Sequence, residues 1–305
     1  CVDLFFVDKM VFLLTVSRNI RFYTIQLLNS RVMLTQVLPK LRKIQALYKL
    51  RGFKVTMIHA DPEFETLRDR LLQRGIRLNV CGTNEHVPEA ERGIRTVKER
   101  NRTTVAGLPY IRMPRLLKQH IVLQAAFSMN LLPPADGISD VFGPRTLVTG
   151  FANDYARQCR VPIGAYCEVS DEPDPSNTET HRTTSAIALR SADNLQGSYY
   201  FMSLVTGARI VRRRWKELPV TPDIIARVHA LADAQPYDAP PFHFEWAPNV
   251  PILDPNPPNA LAEGAEDEIE DAEDDEEENE NEDDEEEDEN NEDDEDESES
   301  EDENN

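Results

Sequence analysis

Three acidic residues stand out for the company they keep. Asp3 lies at the start of VDLFFVD, Asp61 follows the apolar run FKVTMI (residues 53–58), and Glu91 falls in the first turns of a helix opened by Pro88. If the segments carrying them pack together, three carboxylates crowd one small volume. Two carboxylates ~4 Å apart repel by about 4 kcal/mol at an effective dielectric of about 20. The crowding is relieved when one group keeps its proton or when divalent cations enter. An all-oxygen donor set suits Mg²⁺ or Mn²⁺ rather than zinc. Two such ions ~3.5–4 Å apart clamp the attacking and leaving oxygens of a phosphodiester displacement. Each acid also has a commonplace structural use: an Asp at a strand edge, an Asp opening a turn before Pro62, a Glu at the positive end of a helix.

The elements that must position these acids can be read in turn. Residues 1–30 contain three short stretches, VDLFFVD, MVFLLTVS and IRFYTIQL, rich in β-branched and aromatic residues and separated by Lys9 and by Ser17-Arg18-Asn19. Connections this short predict an antiparallel meander, because parallel neighbours need a crossover of about a dozen residues. Across residues 31–51, Leu34, Val37, Leu38, Leu41, Ile44, Leu47 and Tyr48 recur at helical spacing, with a kink or break predicted at Pro39. Gly52 ends that helix. Residues 53–58 then read as a buried strand returning beside the first one, which sets Asp3 next to Asp61. A short helix (64–74), a short strand (77–80) and a polar loop (81–87) lead to the helix beginning at Pro88. On it Glu91, Arg95, Lys98 and Arg102 recur at steps of four, three and four and share one face, with Ala90, Ile94 and Val97 on an adjacent core face. One carboxylate followed by three cations in line suits a helix laid along a DNA backbone. Its ordinary counterpart is a solvated face with Glu91–Arg95 as an i,i+4 pair. Residues 40–120 carry 18 Lys and Arg against 8 acids, so positive charge gathers around the candidate site.

Further along, an amphipathic helix over 115–132 closes on Pro133-Pro134. Residues 143–218 turn to β character and predict a small barrel or sandwich, residues 222–233 one more helix, and residues 236–258 a Pro-rich linker. The 305-residue chain has a formal net charge of −23, yet residues 263–305 hold 31 of its 56 acids and no Lys or Arg. Residues 1–262 carry 25 acids against 33 bases, a net charge of +8. A moderately basic body thus bears a polyanionic tail that cannot bury enough apolar surface to offset its ordering entropy, which predicts disorder there. The apolar run at 10–14 is far short of the ~20 residues of a membrane span, so no membrane partner is expected. Four cysteines (Cys1, Cys81, Cys159, Cys167) with no CxxC pair argue against a disulfide framework or structural zinc, and for a reducing compartment. A chain starting on Cys1 is expected to be a piece of a longer one, and no targeting signal is identifiable.

VDLFFVDKMVFLLTVSRNIRF, MIHADPEFETLRDRL and NEHVPEAERGIRTVKERNR, in that order, resemble the integrase core of copia-type LTR retrotransposon polyproteins, a DDE-type enzyme of the RNase H-like fold. GPRTLVTG, GAYCEVS and TSAIALRSADNLQGSYYFMSLVTGARIVRRRW resemble the Src-homology-like β-barrel that follows the core in those polyproteins. The similarity spans about residues 1–220. It implies an α/β chain with an RNase H-like mixed-sheet core (1–132), a small β-barrel (143–218), a helix and Pro-rich linker (219–262) and a disordered acidic tail (263–305). It further implies that Asp3, Asp61 and Glu91 form the catalytic, metal-binding triad for two Mg²⁺ (or Mn²⁺) ions. The implied chemistry is 3′-end processing and strand transfer of element DNA into target DNA, with Arg95 and Lys98 touching that DNA and Arg102 continuing the same helix face. The partners implied are double-stranded DNA and further copies of the chain, and the place of work is the nucleus after a cytoplasmic particle. The tail is expected to space this module from a downstream reverse transcriptase; contact with chromatin or competition with DNA for the basic face are its other uses.

Two rival functions share the scaffold. One is a catalytically decayed integrase-derived module that binds DNA or chromatin. The other is an RNase H-type nuclease acting on a hybrid duplex. Among the remaining residues, His59 could tune Asp61, although a lone His is more often a packing residue. Asp8 reads as a turn residue. Glu89 lies about 200° around the helix from Glu91, so the two cannot serve the same ions. In Arg212-Arg213-Arg214-Trp215-Lys216, alternate residues face opposite ways. That run is expected to be a charged edge strand as much as a nucleic-acid patch with Trp215 stacking on a base.

Overall fold

The computed structural model describes residues 1–82, 87–170, 181–235 and 244–245. The expected acidic tail and nearly all of the expected Pro-rich linker lie outside the described residues.

The fold is mixed α/β. Strands β1 (Val2–Val7), β2 (Met10–Val16) and β3 (Tyr23–Leu28) form the meander that the short connections require, all antiparallel, with Asp3 opposite Leu14. The first turn is tight enough to hold Asp8 and Lys9 at positive φ (48° and 62°). Alternation sends Val2, Leu4, Val11 and Leu13 to one face of the sheet. Phe5, Val7, Phe12 and Leu14 go to the other, which is also the side of Asp3. β2 lies between two layers and is buried along its whole length.

The helix expected over residues 31–51 is broken, as Pro39 predicts. A π-helical turn (Met33–Val37) hands over to α1 (Leu38–Lys49), with the proline at the start, where its missing N–H is not needed. Leu38, Leu41, Ile44 and Tyr48 of α1 cover the first face of the sheet. The following strand is a correction to the sequence reading. β4 forms only over Met57–Ala60, and it pairs in parallel with β5 (Arg77–Val80) across the helix α2 (Arg68–Leu72). The two make a sheet of their own; β4 approaches β1 without a hydrogen-bonded ladder. Arg77 N–H donating to Thr56 O extends the β4–β5 ladder, whereas joining β4 to β1 draws Asp3 against Asp61. A cavity of about 500 Å³ opens between them, lined in part by Val2, Thr15, Ile44, Tyr48 and Ile58.

Helices α3 (Pro88–Ala106) and α4 (Arg115–Leu131) cover the second face through Ala90, Val97, Val122 and Ala125. Gly93 lets α3 lie close. A Cβ there would stand 3.0 Å from the Tyr23 ring and 3.3 Å from Leu14. Asn130 fastens α4 to β3, accepting from Tyr23 N–H (2.8 Å) and donating to Tyr23 O (2.6 Å).

Residues 143–160, expected to be β, instead hold the short helices α5 (Pro144–Thr149) and α6 (Tyr155–Gln158). Pro144 at the first turn and Gly150 at φ +80° are the start and stop signals that decide this. Five strands follow: β6 (Tyr166–Ser170), β7 (Thr183–Ser191), β8 (Tyr199–Ser203), β9 (Arg209–Arg212) and β10 (Trp215–Leu218), antiparallel in the order β10-β6-β7-β8-β9. β9 and β10 stand at opposite edges of that order, yet only Arg213 and Arg214 join them. The sheet therefore curls around Cys167, Val169, Ala186, Tyr199 and Phe201 and brings its two edge strands near each other, with no hydrogen-bonded ladder between β9 and β10 among the described residues. Trp215 packs inward against Tyr199 and Phe201 (ring centres 5.0 and 5.3 Å), with Arg160 over it at 4.2 Å. α7 (Pro222–Asp233) closes a further apolar cluster in which Leu117 and Ile121 of α4 meet Ile187 and Met202. A last strand, β11 (Phe244–Glu245), lies within the stretch expected to be linker and pairs antiparallel with Phe6 and Val7.

Candidate active site

Asp3 is the second residue of β1 and lies on the side of the sheet that α3 covers. Its Oδ1 accepts a hydrogen bond from Leu4 N–H at 2.7 Å. Burial and then the Asp61 carboxylate raise its pKa from 3.8 to about 7, with Glu63 and Glu91 adding to the push against that one hydrogen bond. Asp3 therefore carries its proton through much of the acidic range, an unusual state for an aspartate.

Asp61 directly follows β4 and stands immediately before the 3₁₀ turn Pro62–Leu67, with extended backbone (φ −72°, ψ 165°). Its carbonyl, not its side chain, closes the turn by accepting from Phe64 N–H at 3.1 Å. Phe64 and Leu67 are fully buried and fix that turn against the core. Glu91 is exposed in the first turn of α3, where the helix dipole favours an anion. Asp61 and Glu91, carried on two other elements, thus both act electrostatically on Asp3.

Sequence reasoning missed one member of this neighbourhood and misjudged the setting of another. Glu63 acts on Asp3 more strongly than Glu91 does, while pairing with Arg31 at 2.8 Å. Its signal was present in Asp61-Pro62-Glu63, since an acid two residues after the turn opener rides on the same short helix. Lys98 is the other. Glu91, Arg95, Lys98 and Arg102 share one face of α3, as their spacing requires, but that face is not uniformly solvated: Arg95 and Arg102 are exposed while Lys98 is only 5 % exposed. Lys98 sits at the margin of the buried stripe formed by Ala90, Gly93, Val97 and Asn101 and is drawn in with it. Burial and Arg102 lower the Lys98 ammonium, and Asp3 raises it, so this cation feels the Asp3 carboxylate.

The acids that could be confused with these are occupied elsewhere. Glu89 pairs with Arg18 at 2.8 Å. Asp8, in the β1–β2 turn, pairs with Lys118 of α4 at 2.8 Å in a nearly water-free setting. His59 meets Asn79 on the neighbouring strand, Asn79 Nδ2 donating to Nδ1 at 3.0 Å, and so is turned to β5.

The donor set is all carboxylate oxygen, which suits Mg²⁺ or Mn²⁺ by chemistry and by charge. Among the described residues no three His, Cys, Asp or Glu side chains gather closely enough to hold an ion together. Also among these residues, no helix is long and apolar enough to cross a membrane.

In comparison with known proteins, the structure is similar to the catalytic core domain of BIV integrase, with a TM-score of 0.35 and 16% identity over 49% of this chain and 91% of that one. No protein-family model matches the sequence, and no curated protein matches it.

Proposed function

We propose that the chain is the integrase region of a copia-type LTR retrotransposon polyprotein, a polynucleotidyl transferase that processes the 3′ ends of the element's DNA and transfers them into target DNA. The observation that carries this proposal is the state of Asp3, an aspartate pushed up to about 7 by burial and by the acids at Asp61, Glu63 and Glu91. A scaffold that gathers negative charge around a buried carboxylate is disfavoured on its own and becomes favourable when cations arrive. Asp3, Asp61 and Glu91 would hold the two divalent ions. When bound, these supply Lewis-acid stabilisation of the reacting phosphodiester oxygens.

The chain's own residues do the rest. Asp3 gives up its proton near neutral pH. Lys98, held beside Asp3 with little water, offers a positive charge to a phosphate entering the site. Arg95 and Arg102 lie on the exposed side of α3 and suit the DNA backbone. Binding of this kind weakens with salt, with a logarithmic slope of about −0.9 per phosphate neutralised. Double-stranded DNA as partner, a homo-oligomeric assembly, work in the nucleus and chromatin contact through the acidic tail belong to the same proposal.

The full chain, with Mn²⁺ and a blunt DNA duplex, is expected to nick the duplex near its 3′ end and join it to a second duplex. Asp61→Asn is expected to lose both steps while still binding DNA. DNA binding by the wild type without any Asp61-dependent cleavage or joining would overturn the enzymatic assignment. That result would leave the rival, a decayed DNA- or chromatin-binding module. The rival is favoured by the lack of a ready three-donor cage among the described residues.

A further inference from the structure

α4 carries a second buried ionisable side chain besides Lys118. His120 lies two positions on, about 200° around the helix, and so looks away from the β1–β2 turn toward the barrel. It is 1 % exposed, and its ring centre is 5.6 Å from that of Tyr200 on β8. Neither ring nitrogen has a hydrogen-bond partner among the described residues. Buried polar atoms are almost always satisfied, so an imidazole with both nitrogens unbonded calls for a ligand or water to complete it.

Two cations stand around the same tyrosine. Arg190 comes from β7 and Arg209 from β9, the strands flanking β8, and each guanidinium carbon is 5.0 Å from the Tyr200 ring centre. Arg190 is half-buried; its Nη1 donates to Ser191 O at 3.2 Å, while its Nε has no acceptor. Arg209 is exposed and forms the rim. The acid nearest in effect, Asp193, is committed elsewhere. Its Oδ2 accepts from Arg145 (2.8 Å) and its Oδ1 from Gln158 (2.9 Å). Burial and then the two arginines hold the His120 imidazole well below its ordinary range. The cluster thus presents two guanidinium groups and a neutral N–H donor around one aromatic ring, with a buried floor and an exposed rim.

We propose that His120, Arg190 and Arg209 form a binding site for a phosphate oxyanion at the seam between α4 and the barrel. Arg190 and Arg209 supply charge and directed N–H donors, and His120 contributes one imidazole N–H from the floor. Tyr200, 5.0 Å from both guanidinium carbons, holds the two arginines near one another by cation–π attraction. The phosphate comes either from a nucleic-acid backbone or from a free phosphate ester. The site lies on elements other than those bearing Asp3, Asp61 and Glu91, and it stands whether or not those acids are catalytic.

The test uses the full chain, with inorganic phosphate titrated against chloride at constant ionic strength and followed by ³¹P line broadening and by thermal unfolding. Phosphate is expected to bind the wild type and raise its midpoint. Arg209→Ala, at an exposed position that the fold does not need, is expected to weaken phosphate binding by about tenfold or more, as the loss of one charge-assisted contact implies. Arg190→Gln should weaken it similarly. His120→Phe keeps the contact with Tyr200 and should lower affinity; if that variant misfolds, Arg209→Ala carries the test alone. Displacement of bound phosphate by a short DNA duplex assigns the site to a backbone phosphate. Retention under saturating duplex assigns it to a free phosphate ester, and both outcomes support the site. No phosphate effect beyond that of chloride, or an equal effect in wild type and Arg209→Ala, overturns it. Loss of strand transfer with phosphate binding intact would strike at the carboxylate assignment alone.

Discussion

The two ends of β1 treat a withdrawn aspartate in opposite ways. At its far end Asp8 is nearly shielded from water and meets the ammonium of Lys118 at 2.8 Å, both side chains under 10 % exposed. At its near end Asp3 is also largely buried, but its strongest charged neighbours are three more acids, with Lys98 drawn into the same field. The same sheet thus neutralises one buried carboxylate and concentrates negative charge on another five residues away. Burying a charge is tolerable when it is paired and hydrogen-bonded. The Asp8 arrangement follows that rule and the Asp3 arrangement departs from it, a departure that the proposed metal site would use.

Breaking the paired end should have the largest effect. Lys118→Met leaves Asp8 charged without its main counter-ion and is expected to destabilise the chain by about 3–5 kcal/mol in urea unfolding. Adding Asp8→Asn, a residue that tolerates the positive φ of that turn, should recover most of the loss. A Lys118→Met variant as stable as the wild type would erase the contrast.

The crowded end should respond with the opposite sign. Asp3 titrates near 7 in the folded chain against an ordinary 3.8, so the folded state holds the extra proton between those values. Stability is then highest at acid pH and falls as pH rises through that window. In a metal-free buffer, Asp3→Asn is expected to be more stable than wild type by about 2–4 kcal/mol at pH 8, with the difference nearly gone at pH 4. A smaller effect sharpens the cause. Asp61→Asn removes the strongest like charge and should move the Asp3 titration, read by carbon NMR, downward toward its ordinary value. The smallest change is expected at Glu89. Its pair with Arg18 is partly exposed, so Glu89→Ala should alter stability by less than about 1 kcal/mol and leave the proposed strand transfer unaffected.

How much of this was legible in the sequence depended on whether the governing contacts were local. The meander, the break before Pro39, the strands of the five-stranded sheet and the helix at 222–233 follow from turn length, proline geometry and periodicity, all of them short-range. The helices at Pro144–Thr149 and Tyr155–Gln158 carried local signals too, in Pro144 and Gly150, but these were outweighed by the β-rich stretch that follows. The separation of β4 from β1 was hidden, because ladder formation between residues more than fifty apart depends on packing and charge that no window contains. The three acids could be named from their positions on elements, whereas the inward turn of Lys98 could not. Its place at the edge of the buried stripe on α3 is settled by how closely Gly93 lets the helix approach Tyr23. His120 was likewise unreadable, since the arginines that surround it arrive from two strands some seventy and ninety residues later.

The pairing of β10 with β6 also sets an order of events during synthesis. β10 must reach back to β6, so the five-stranded sheet cannot be completed until residue 218 has left the ribosome. Before that, the edge of β6 is a template open to any other strand nearby. Chains cut or stalled between Ser170 and Trp215 should accordingly be the aggregation-prone species, and translation through that interval sets how long the hazard lasts.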